Sequence, residues 1–130
     1  AVGQAGPALY AQACQLETQS LQGKTNEARA GLQTLISAAD NAATRSWLLS
    51  LLAESEERAG KDGAALKAYQ SSLKQESDLY TSIALSDLLL RTGKHQDALK
   101  VLTGLPATDA VLRGDDPAGL RQPASGTGRN

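Results

Sequence analysis

Apolar residues recur along the chain at the spacing of helical turns, with charged and amide side chains between them. Leu9, Ala13, Leu16 and Ser20 fall at i, i+4, i+7 and i+11, and Ala28, Leu32, Leu35 and Ile36 form a second stripe. Leu48, Leu49, Leu51 and Leu52 make a denser cluster, as expected of a helix covered on two sides. Leu66, Tyr69 and Leu73 follow at i, i+3 and i+7; then come Ile83, Leu85, Leu88, Leu89 and Leu90, and finally Leu99, Val101, Leu102 and Leu105. No alternating, strand-like pattern interrupts them. The pattern predicts an all-α chain with helices over about 7–22, 25–38, 43–59, 62–76, 78–92 and 95–104.

Three turns punctuate these stripes with one recurring motif. They read Gly23-Lys24-Thr25-Asn26-Glu27-Ala28, Gly60-Lys61-Asp62-Gly63-Ala64-Ala65 and Gly93-Lys94-His95-Gln96-Asp97-Ala98. Glycine reaches positive φ without a Cβ clash and so can end a helix. The lysine after it sits near the negative end of the helix dipole. Thr25 and Asp62 are expected to cap the next helix, and the alanine five residues after each glycine lets two helices approach closely. Gly23 to Gly60 spans 37 residues and Gly60 to Gly93 spans 33, a period that marks stacked helical hairpins.

Proline disfavours helix at the residue before it, so Leu105-Pro106 should end the sixth helix. Thr108-Asp109-Ala110-Val111-Leu112-Arg113 reads as the start of a seventh, stopped at Gly114. The expected organisation is an N-terminal tail over 1–8, a helical repeat domain over 9–113, and an irregular or disordered tail over 114–130.

Composition narrows the function classes. The formal net charge of −1 supplies no basic field for phosphate contacts, so nucleic acid is not an expected partner. The longest apolar run, Trp47-Leu48-Leu49-Ser50-Leu51-Leu52-Ala53, is far short of the roughly 20 residues that cross a bilayer. The single cysteine, Cys14, excludes an internal disulfide framework and is expected as a small buried apolar residue. The small residues Ala1, Val2 and Gly3 suit the mature end left by signal-peptide cleavage; a fragment boundary is the other reading, so periplasmic or secreted and cytoplasmic locations stand level.

The repeated turns resemble the tetratricopeptide repeat (TPR) family over about residues 9–113. Gly23, Gly60 and Gly93 match the family's turn glycine, and Ala28, Ala65 and Ala98 its small residue. Leu32, Tyr69 and Leu102 match the large apolar position four further on. The family's Trp-x-x-Leu-Gly start is poorly kept: its positions hold Gln12, Gln15 and Leu16, then Leu49, Leu52 and Ala53, then Ser82, Leu85 and Ser86. The closing proline is missing after the second and fourth helices, and Pro106 ends the third copy early. Gln15, Gln19 and Gln22 make the first copy polar, as suits a terminal cap facing water. The resemblance implies a right-handed α-α superhelix, a solenoid of three helix-turn-helix hairpins, and a protein–protein interaction role.

In such an array the first helix of each pair lines the concave face. Thirteen residues before the glycines stand Tyr10, Trp47 and Tyr80, and six before them stand Glu17, Glu54 and Asp87. Positions seven apart share a helix face. The chain has one Trp, three Tyr and no Phe, so three of its aromatics lie in one register. An aromatic stripe beside an acidic one would hold a protein or peptide segment carrying Lys or Arg. The plainer alternative is that the aromatics pack between neighbouring repeats and the acids form a solvated face. The family's basic carboxylate clamp is not expected, because the matching positions include Ala13, Ser50 and Ile83.

Catalysis and cofactors are not expected. His95 is the lone histidine and reads as a helix-start residue, and Glu54-Ser55-Glu56-Glu57-Arg58 reads mostly as a solvated helix face. A second function class is self-association: Leu99, Leu102, Leu105 and Leu112 would present an apolar face that another copy could cover, making a homo-oligomer.

Overall fold

The computed structural model describes residues 6–104, and within them the chain is all-helical with no strand. The helices are α1 (Pro7–Leu21), α2 (Thr25–Ala38), α3 (Ala42–Arg58), α4 (Asp62–Gln75), α5 (Leu79–Arg91) and α6 (His95–Thr103). Each begins and ends within about two residues of the expected position. The tail expected over 114–130, the seventh helix expected at 108–113 and most of the N-terminal tail lie outside the described residues.

The three glycine corners share one geometry. Gly23, Gly60 and Gly93 have φ of 86°, 79° and 83°. After each, the lysine N–H donates back to Gln19, Glu56 or Leu89 O at 2.9, 2.8 and 2.7 Å. The glycine N–H donates to Ser20, Glu57 or Leu90 O at 3.0, 3.0 and 3.1 Å. These paired bonds close the helix end on its last-turn carbonyls without any side chain, the Schellman arrangement. Thr25 and Asp62 are not the caps. They are the first helical residues, and Lys24 and Lys61 occupy the cap positions without a side-chain bond. The lysine carbonyls then accept the first helical bonds, from Ala28, Ala65 and Ala98 N–H at 3.0, 2.9 and 3.0 Å.

Side-chain caps appear instead at the turns between hairpins. Asn41 Oδ1 accepts from Thr44 N–H at 2.8 Å and starts α3. Asp78 Oδ2 accepts from Thr81 N–H and Thr81 Oγ1–H, both at 2.8 Å, and starts α5.

Each helix packs on the next, and α1 also packs on α3. The core joins Leu32, Leu48, Leu52, Tyr69, Leu85, Leu88 and Leu89, with buried alanines where helices approach most closely. Ala28, Ala65 and Ala98 are 0, 0 and 1% exposed, so the expected close-approach position is filled as predicted. At Gly31 a Cβ would sit 2.3 Å from Leu16 Cδ2, so α1 leans directly on the α2 backbone there. Serines also bind the helices: Ser72 Oγ–H donates to Ser46 O at 2.7 Å, and Ser20 Oγ–H donates to Ser55 Oγ at 2.7 Å.

Candidate functional site

Three first-of-pair helices carry the aromatic column. Tyr10 stacks on Trp47 with ring centroids 5.3 Å apart and planes 8° from parallel. This offset-stack range adds attraction beyond burial. Tyr80, in the first turn of α5 beside the Asp78 cap, is 70% exposed. It does not join the stack; it and Trp47 instead form two walls of one open pocket between α3 and α5. Ser46, Ser50, Glu54, Glu76, Asp78 and Thr81 complete its polar lining, and the pocket holds about 320 Å³. No Lys, Arg or His lines it.

The acidic column is divided by arginines. Glu17 accepts from Arg58 Nη2–H at 3.1 Å, and its other oxygen, Oε1, is buried without a hydrogen-bond partner among the described residues. Asp87 lies 3.5 Å from Arg91 of its own helix and stays largely in water. Glu57 accepts from Arg91 and from Tyr69 Oη–H at 2.8 Å. No hydrogen bond or ion pair from the described residues reaches the Glu54 carboxylate. Burial pushes the Glu54 carboxyl up from the ordinary carboxylate range; the Glu17 charge adds to this, Arg58 opposes it, and Glu57 adds a smaller push. The Tyr69 hydroxyl is also raised, first by burial and then by its bond to Glu57.

The structure therefore brings Trp47, Glu54 and Tyr80 around one pocket and adds Tyr10 through its stack on Trp47. Glu17 is engaged by Arg58, and Asp87 does not line the pocket. Sequence reasoning missed Arg58 and Arg91, although both stand two residues before a corner glycine and could have been found in that register. It also missed Glu76 and Asp78, which the turn from α4 to α5 delivers.

Two further expectations need correction. Ser55 and Glu56 are buried, not part of a solvated face, at 1 and 4% exposed. Arg29 of α2 grips Glu56 through a fork of two bonds, Nε–H to Oε2 and Nη2–H to Oε1, the latter 2.7 Å. Glu56, foremost through that bond, raises the Arg29 pKa. Cys14 is exposed, not buried, because its neighbour Ala13 takes the core position on that turn of α1. His95 is the first residue of α6 and exposed, as expected of a helix-start residue.

Among the described residues no His, Cys, Asp and Glu side chains group to hold a metal ion, and no helix is long and apolar enough to cross a membrane. No family model, curated protein or solved structure matches the chain.

Proposed function

We propose that the chain is a right-handed α-α superhelix of three TPR-like hairpins and serves as a protein–protein interaction module. Its first helices form a groove that holds an extended peptide segment bearing Lys or Arg. The observation that carries this reading is the shared pocket, where Trp47 and Tyr80 flank a half-buried Glu54 that no hydrogen bond or ion pair among the described residues engages, Arg58 acting on it only at longer range. An arginine or lysine entering there gains the carboxylate's charge and the faces of two aromatic rings. Glu76 and Asp78 at the rim add to the attraction. Tyr10, stacked behind Trp47, holds that indole in place and extends the aromatic surface towards α1. Glu17 and Asp87 are held by arginines and serve as flanking charge. The role is binding and not catalysis, with no cofactor.

The test is a screen of immobilised peptides against the folded chain, followed by titration of the best binder. Substituting Lys and Arg in that peptide by Gln should weaken it roughly tenfold or more. The Trp47→Ala, Tyr80→Ala double variant should lose binding while keeping its helical circular dichroism. Unchanged affinity in the double variant would overturn the reading.

Self-association through the C-terminal apolar face is the second reading. The observation in its favour is Leu99, which is 57% exposed beside half-buried Leu102; Leu105 and Leu112 lie outside the described residues. Light scattering at high concentration distinguishes the two readings.

A further inference from the structure

Aligning the three first-of-pair helices on their glycines shows which face each neighbour covers. Positions twelve, eight, five and four before the glycine are Leu48, Leu52, Ser55 and Glu56 in α3, all buried. In α5 they are Thr81, Leu85, Leu88 and Leu89, again all buried. In α1 they are Ala11, Gln15, Thr18 and Gln19, and the first three are exposed. Since α1 has its own partner helix but no described hairpin before it, the preceding hairpin is what covers this face. Contacts agree: Glu56 is held by Arg29 of α2, and Ser55 bonds Ser20 of α1.

The forward face follows the reverse order. Ten and three before the glycine stand Ala13 and Ser20 in α1, both buried. In α3 these are Ser50 and Glu57, half-buried. In α5 they are Ile83 and Leu90, each 48% exposed. Six after the glycine stand half-buried Arg29 and Leu66, the latter beside Leu88, and then Leu99 at 57% exposed. At each inner junction an arginine two before the glycine reaches back to the first helix of the preceding hairpin: Arg58 to Glu17 and Ser20, and Arg91 to Glu57. Asp87 presents the same carboxylate position as Glu17, with no further helix described to answer it.

We propose that the open face formed by Ile83, Asp87, Leu90 and Leu99 docks an amphipathic helix supplied by a partner protein. That helix carries large apolar residues at i+4, i+7 and i+8 and an arginine at i+10, the register in which Leu85, Leu88, Leu89 and Arg91 follow Thr81 on α5 where it covers the preceding hairpin. Two other occupants fit less well. Residues 105–130 contain no stretch with large apolar side chains at that spacing; the nearest, Ala107, Ala110 and Val111 with Arg113, is mostly alanine. The matching positions on α1 of a second copy are Ala11, Gln15, Thr18 and Gln19, which have little apolar surface to bury against Leu90 and Leu99. The arginine at i+10 supplies charge complementarity to Asp87, as Arg58 does to Glu17.

The probe is a fluorescein-labelled synthetic peptide of residues 78–92, which carries Leu85, Leu88, Leu89 and Arg91 in this register, titrated into the full chain by anisotropy. Saturable binding is expected, with amide NMR shifts centred on Ile83, Leu90 and Leu99. The chain variant Leu90→Asp, Leu99→Asp should weaken it roughly tenfold or more. So should the peptide carrying Leu85→Ser and Leu88→Ser. Glu54→Gln should leave this affinity unchanged, which separates the face from the groove proposed above. Absence of binding, equal binding of the serine peptide, or shifts centred elsewhere would overturn the proposal. So would a homodimer that Leu90→Asp disperses, because the occupant would then be a second copy.

Discussion

Arg29 and Glu56 form the most consequential polar contact in the fold, because the carboxylate is almost wholly enclosed while the guanidinium reaches it from the preceding hairpin's edge. Removing the arginine leaves a buried charge unanswered, which is costlier than losing a surface pair. Arg29→Ala should lower stability by about 3 kcal/mol in urea denaturation. Arg29→Lys should recover only part of it, since an ammonium cannot supply the two-pronged fork. Glu54 behaves oppositely. Its folded pKa is raised, so the ionised form is disfavoured by folding; the penalty is complete above the raised value and vanishes below the ordinary value of 4.5. Glu54→Gln should therefore raise the melting temperature at pH 7, with the gain fading as pH falls and gone below about pH 4. A gain that grew on acidification would contradict this assignment. Neither behaviour was legible from the acidic run, whose helical register shows which residues share a face but not which hairpin covers that face.

At the scale of the element, two kinds of turn alternate. The corners within hairpins rest on backbone bonds and a left-handed glycine; the turns between hairpins rest on the side chains of Asn41 and Asp78. Gly60→Ala should cost about 1–2 kcal/mol, because a Cβ is strained at φ 79° even though the space around it is open. Asn41→Ala should cost about 1 kcal/mol through the lost bond to Thr44 N–H. Thermal melts of both variants check these values. Helix number and limits were readable because apolar spacing and the glycines agree at every corner. The caps were misassigned because Thr25 and Asp62 have the right chemistry but stand one residue too late. The back-bonded lysines already satisfy the corner, so no hydroxyl or carboxylate is needed there.

Across the whole molecule, α3 is the best-covered helix, in contact with α1, α2 and α4, whereas α6 closes the described residues with one buried side chain, Ala98. Where each element touches chiefly its neighbours, local opening should be easiest at the ends. Hydrogen exchange should be slowest in α3 and α4 and fastest in α6 and the first turns of α1; uniform protection would show instead a single cooperative unit. The aromatic column was legible because Tyr10, Trp47 and Tyr80 share a register, but its division into a stack and a pocket was not. That division depends on the offset between α1, α3 and α5, and on Arg58 and Arg91 reaching back to claim carboxylates. The backbone-only corners carry one more consequence. Because Gly60 needs nothing from the side chains around it, residues 41–77 form a transferable cassette bounded by its own cap. Duplicating that cassette in tandem should lengthen the protein by one hairpin, and the copied Arg58 would meet Glu54 and Glu57 of the original.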